Sequence, residues 1–237
     1  MKKMGIVLIC IALNLQAFAG LDQWFNDADA FFKKYVSSGK VDYTSIQTTP
    51  AELNSLITTL GVADLSTASS NTKKAFYINA YNLIMIKSVI DNFPISSPLD
   101  VTGIFDTNKH SVAGAMLTLS DIENKKLRPI YNDARIHFVL VCGAKGCPKL
   151  ASFAYKPATI EAQLESQTKL TINDATFIKV KDTEKKALVS EIFYWYETDF
   201  TTDGKSILEY INQYRTTKIT ATYTVDKYTY DWSLNSK

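Results

Sequence analysis

The chain is poor in the residues from which metal and thiol sites are built. It holds three cysteines and two histidines in 237 residues. One cysteine, Cys10, falls in the apolar N-terminal stretch. The other two, Cys142 and Cys147, are spaced Cys-x4-Cys, with no Cys-x2-Cys or His-x3-His spacing beside them, so no zinc site is expected. An excess of one charge is missing too: 26 basic residues stand against 24 acidic ones. That balance gives no electrostatic reason to expect nucleic acid or a membrane surface as a partner. No apolar run reaches the roughly 20 residues that a bilayer requires. Repeats, low-complexity tracts and linkers are also absent, which favours one globular domain.

The N-terminus, MKKMGIVLICIALNLQAFAG, reads as an export signal. Lys2 and Lys3 form its charged end, Ile6 to Leu15 its apolar core, and Ala17-Phe18-Ala19 a cleavage site. Cys10 follows Ile9, whereas a lipid-modified cysteine would want a small residue before it. A signal peptide over 1–19, a domain over 20–237, a secreted or periplasmic location and no stable membrane insertion after cleavage are therefore expected. Only Cys142 and Cys147 then remain, and an even count in an oxidising compartment favours a disulfide. So short a loop should gain less than the ~3 kcal/mol of a 15-residue one.

Hydrophobic spacing predicts helices over Leu21 to Val36, Pro50 to Leu60 and Thr72 to Asn92, the last capped by Ser69, Ser70 or Asn71. A hairpin is expected over Ser111 to Leu119. A short helix should follow, capped by Ser120 with Glu123 as its capping-box acid. Further elements are a strand over Ile136 to Val141, a helix over Thr159 to Leu170, strands over Thr176 to Val180 and Lys186 to Val189, and a helix over Ser206 to Tyr214. The expected class is α+β: a single domain with N-terminal helices packed on a small mixed or antiparallel sheet.

Three places can carry chemistry. Asn79 and Asn82 share one face of the long apolar helix. As buried amides they either satisfy loop backbone or line a polar pocket, since an unpaired one costs ~1–3 kcal/mol. His137 lies in the apolar run before Cys142. A regular strand there would put the two on opposite faces, so a His–Cys pair needs a bend at Gly143 or needs Cys147. Gly143 and Gly146 permit an unusual turn, and with Lys145 it could aim N–H groups at an anion or oxyanion. Glu123, Asp121 and Arg128 sit on the capped helix. Asp199 and Asp231 are acids among aromatics, expected to be hydrogen-bonded within the fold. His110 reads as a solvated loop residue.

The segments FYINAYNLIMI, VAGAMLTLSDIENKKLR and ARIHFVLVCGAKGCPKL, with IFYWYETDF and YDWSLN, resemble the family called domain of unknown function 547, over about Val41 to Asn235. The pattern is matched at Asn79, Asn82, Glu123, Arg128, His137, Cys142, Cys147 and Pro148. The resemblance implies a fold loosely like that of the papain and transglutaminase thiol hydrolases. Here, however, the buried helix carries asparagines, and both cysteines follow the histidine. Two functions stay open. One is a hydrolase or acyl transferase acting on amide or ester bonds of envelope peptides. In it Glu123, His137 and Cys142 would act as orienter, base and nucleophile, with Asn79, Asn82, Arg128 and Lys145 around the pocket or oxyanion. The other is a non-catalytic module that holds a small molecule or peptide in the same pocket, its wall pinned by a Cys142–Cys147 disulfide. No metal or cofactor is expected in either.

Overall fold

This computed structural model describes residues 20–237, and the signal peptide expected over 1–19 lies outside them. Helix α1 covers 20–35. Its apolar positions Trp24, Phe25, Ala28, Phe31, Phe32 and Tyr35 are all buried, as the 3.6-residue period demands. Strands β1 (Val36–Ser37) and β2 (Lys40–Val41) make a tight hairpin. Helix α2 (Tyr43–Thr48) starts at Asp42, whose carboxylate accepts from Ser45 N–H. Helix α3 (Ala51–Val62) leads to α4 (Ser70–Ile90), capped by the Ser69 hydroxyl.

Helix α4 is the axis of the molecule. Fifteen of its 21 residues are buried, on every side, because α2, α3 and later elements pack around it. The predicted hairpin is present as β3 (His110–Val112) and β4 (Ala115–Leu117). Ala113 and Gly114 turn it with positive φ. His110 is thus a half-buried hairpin residue, not a solvated loop residue. Its Nε2 is buried without a hydrogen-bond partner, and burial holds its pKa below the ordinary value.

Next comes a continuous helical run: α5 (Leu119–Asp121), a π-helical turn (Ile122–Leu127) and α6 (Arg128–Tyr131). Its cap is Thr118, not Ser120. The Thr118 hydroxyl accepts from Asp121 N–H at 3.0 Å, and Asp121 Oδ2 accepts from Thr118 N–H at 3.1 Å. Asp121 therefore does the capping expected of Glu123, and Glu123 is left free of it.

The predicted strand over Ile136 to Val141 is a second correction. A 3-10 helix occupies Ala134–Phe138 instead. Ile136, His137 and Phe138 are all buried, so the run has no exposed face from which a two-residue period could be read. Among the described residues no strand pairs with it either. The Asn82 side chain serves in its place: its amide nitrogen donates to Val139 O and its oxygen accepts from Val141 N–H, each at 2.9 Å.

Helix α7 (Ile160–Ile172) is followed by β5 (Ile178–Lys181) and β6 (Lys186–Ser190). Helices α8 (Ile192–Trp195), α9 (Glu197–Phe200) and α10 (Ile207–Tyr214) precede β7 (Thr224–Tyr228). Strands β5 and β6 pair antiparallel, and β6 and β7 parallel, which gives the small mixed sheet. One apolar cluster runs from Leu21 to Leu234, and the fold is a single α+β domain. No helix among the described residues is long and apolar enough to cross a membrane.

Candidate active site

The π-helical turn sets the first functional side chain. Arg128 N–H reaches back five residues to Glu123 O, and Pro129, without an N–H, cannot restore the four-residue ladder. Such widened turns re-aim side chains and occur often at functional sites. Here Ile122, Glu123 and Leu127 point inward, while Asn124 and Lys125 face solvent. Glu123 is only 8% exposed.

His137 comes from the 3-10 helix, which Asp133 caps through Arg135 N–H. Carboxylates stand on both sides of its ring. Nε2 lies 2.7 Å from Asp199 Oδ2, and Nδ1 lies 3.7 Å from Glu123 Oε1. The face of the ring stacks on Tyr196, with centroids 3.9 Å apart. Asp199 is itself gripped by Arg128, Nε to Oδ2 at 2.7 Å and Nη2 to Oδ1 at 3.0 Å. The His137 hydrogen bond, and then the Arg128 pair, hold the Asp199 carboxyl well below the ordinary 3.8, against the opposing effect of partial burial. Asp199 therefore stays ionised and fixes Nε2 as the protonated nitrogen, which leaves Nδ1 turned toward Glu123.

Glu123 and His137 lie in the wall of a cavity of ≈ 270 Å³. Ser120, Leu140 and Ile192 also line it, as do the rings of Tyr81, Phe105, Trp195, Tyr196, Tyr230 and Trp232. Burial foremost, and then the Glu123 charge, push the Tyr81 and Tyr196 phenols above their usual range. Both hydroxyls are therefore hydrogen-bond donors at neutral pH.

The two cysteines complete the wall. Cys142 and Cys147 are joined as a disulfide, and the Tyr230 hydroxyl sits 3.0 Å from one sulfur and 2.9 Å from the other. With the strand replaced by a 3-10 helix, Cys142 and His137 do line the same space. The sulfur is paired with Cys147 in this structure, the arrangement that the disulfide reading of Cys142 expects. Gly146 has no room for a side chain: a Cβ there would stand 2.9 Å from Asp231 N and from the Tyr230 ring. The C-terminal segment is thereby laced onto the cysteine loop through Lys145 N–H to Ser233 O, Gly146 N–H to Asp231 O and Asn235 N–H to Gly143 O.

Those bonds overturn part of the expected constellation. The N–H groups of Cys142, Lys145, Gly146 and Cys147 are all occupied, so this turn is no oxyanion cradle. The Lys145 side chain is exposed and borders a separate cavity on the far side of Cys147. Asn79 and Asn82 are not in the pocket either. Each pairs with backbone, Asn79 with both the N–H and the C=O of Tyr155, at 2.9 and 2.7 Å. They are internal splints for two loops. Arg128 is brought to the site but acts behind it, through Asp199. Asp231 is hydrogen-bonded within the fold, by Ser233.

Sequence reasoning placed Asp199 only as an acid bonded inside the fold, and missed its partner. A buried histidine requires a polar neighbour, and an acid set within IFYWYETDF was a candidate for that role. Asp199 and the aromatic wall from Trp195, Tyr196, Tyr230 and Trp232 lie beyond the segment that matches a known family. No curated protein and no solved structure matches the chain. The family model described as "Protein of unknown function, DUF547" matches residues 65–170, a span that holds Glu123, His137, Cys142 and Cys147, and this match supports an assignment to that family.

Proposed function

We propose that this chain is an exported hydrolase of amide or ester bonds, with His137 as its base and water as its nucleophile. The observation that carries this reading is the clamped imidazole. Asp199 takes one nitrogen at 2.7 Å, while the other faces Glu123 across 3.7 Å at the wall of a cavity. An oriented imidazole backed by an ionised carboxylate is a competent general base. Nδ1 takes a proton from a water molecule, and its oxygen bonds to the substrate carbonyl carbon. The bond to the leaving nitrogen or oxygen then breaks, and the proton passes from Nδ1 to that atom. Glu123 orients the water and balances the charge of the imidazolium. The Tyr81 phenol is a donor available to the carbonyl oxygen as it gains charge, while the Tyr196 phenol is engaged with Glu123. No thiolate takes part.

The test is turnover of a panel of acyl amino-acid amides, short peptides and alkyl esters by the purified protein. His137→Gln should abolish hydrolysis, with the melting temperature and circular dichroism retained. A wild-type protein that binds panel members and cleaves none would assign the cavity to a ligand-binding module.

A further inference from the structure

We infer that the aromatic cavity takes a ligand carrying an alkylammonium group. This inference accepts the cavity of the proposed function as the substrate site and adds the charge of what enters it. Three observations support it. First, no lysine or arginine lines the cavity. Arg128, five residues after Glu123, is spent on Asp199 behind the ring. Second, Glu123 is a buried carboxylate whose single ionic neighbour among the described residues is the His137 ring, at 3.7 Å. That distance is too long for a hydrogen bond. A carboxylate so placed repels an anion and leaves room for a cation.

Third, much of the cavity wall is made of π-rich rings. Trp195, Tyr230 and Trp232 form one cluster, with centroids 4.9 Å apart for Trp195–Tyr230 and 4.8 Å for Tyr230–Trp232. Phe105 extends it, 6.2 Å from Trp232. Trp195 is 45% exposed, so this cluster is open to solvent rather than sealed in the core. Aromatic faces attract a desolvated cation through their quadrupole, tryptophan most of all. With a lone carboxylate lining the same cavity, such rings match the soft, spread charge of a substituted ammonium better than a neutral ring or an acid. The α-ammonium of a peptide and a quaternary ammonium both have this chemistry.

The experiment compares choline with neohexyl alcohol, its uncharged carbon isostere, by titration calorimetry and tryptophan quenching on the wild-type protein. Choline should bind about tenfold tighter or more. Glu123→Gln should erase most of that preference and leave the alcohol unchanged. Equal affinity for the two probes, or no binding of choline at millimolar concentration, would overturn the inference. So would a preference that survives Glu123→Gln. His137→Gln should keep the choline preference, so loss of turnover and loss of cation binding are read separately.

Discussion

The two sides of the His137 ring differ in the way that separates a support from a reacting group. Behind the ring, Asp199 sits at hydrogen-bond distance and is doubly bonded by Arg128. It borders a polar cavity that Asp133, Arg135 and Lys74 also line. The charges nearest Asp133 are paired there: Lys74 with Asp133 and Glu161, Arg135 with the same two acids. In front, Glu123 stands in an aromatic wall with, among the described residues, only the ring itself for ionic company. A carboxylate paired with a cation is fixed and contributes to stability, whereas one held without a cationic partner is costly to the fold and available for chemistry. The same residue type thus serves opposite ends on opposite nitrogens of one imidazole.

The largest effect that would sharpen this contrast is on rate. Glu123→Gln keeps the shape and removes the charge. It should lower kcat/KM by roughly 10³-fold, within the range of general acid–base effects, with a melting temperature equal to or above that of the wild type. Steady-state kinetics and a thermal melt on the same preparation check both halves. A variant that melts much earlier would show Glu123 to be a structural acid, and the two sides of the ring would then be alike.

Asp199→Asn should do the converse. It breaks the charge-assisted bonds to Arg128 and His137 and should cost roughly 2–3 kcal/mol of unfolding free energy, measured by urea titration. Its fall in rate should be smaller than that of Glu123→Gln. The pH dependence has a definite sign. The folded-state carboxyl of Asp199 is depressed below its ordinary 3.8, so the unfolded chain takes up its proton first as the solution is acidified. The stabilisation is complete above that ordinary value and drains away as pH falls through the depressed one. Wild-type stability should therefore drop more steeply below about pH 4 than that of Asp199→Asn. Parallel curves would mean that the Arg128–Asp199 pair does not hold in solution.

Much of the frame behind this contrast could be read from residues alone. Helix α4 announces itself by its cap Ser69, its long apolar run and the proline beyond its end. Glu123, His137 and the cysteine pair stood out as polar or reactive groups in apolar surroundings. What escaped was non-local. Asp199 lies 62 positions from the histidine it orients, and nothing in the local pattern of a four-residue helix names that partner. The run Ile136 to Val141 was misread because burial on all sides erases the period that tells a strand from a helix. The π-helical turn left no signal beyond Pro129, and the cap moved two residues because Thr118-x-x-Asp121 spells the same box as the expected one. Asn79 and Asn82 were legible as buried amides needing partners. That those partners are backbone required the loops themselves.

The smallest expected effect concerns the front wall. The Cys142–Cys147 bridge closes a loop of a few residues, so reducing it with dithiothreitol should cost no more than about 2 kcal/mol, seen as a modest fall in melting temperature. The lacing of residues 231–235 onto that loop remains after reduction, so the cavity should keep its shape and turnover should stay within about twofold. The comparison breaks if reduction instead raises turnover strongly and Cys142→Ala then removes it. A freed thiolate beside His137 would in that case be the nucleophile, and Glu123 would be demoted to an electrostatic bystander. Unchanged turnover in Cys142→Ala, Cys147→Ala and the reduced wild type would leave the imidazole and Glu123 as the reacting pair.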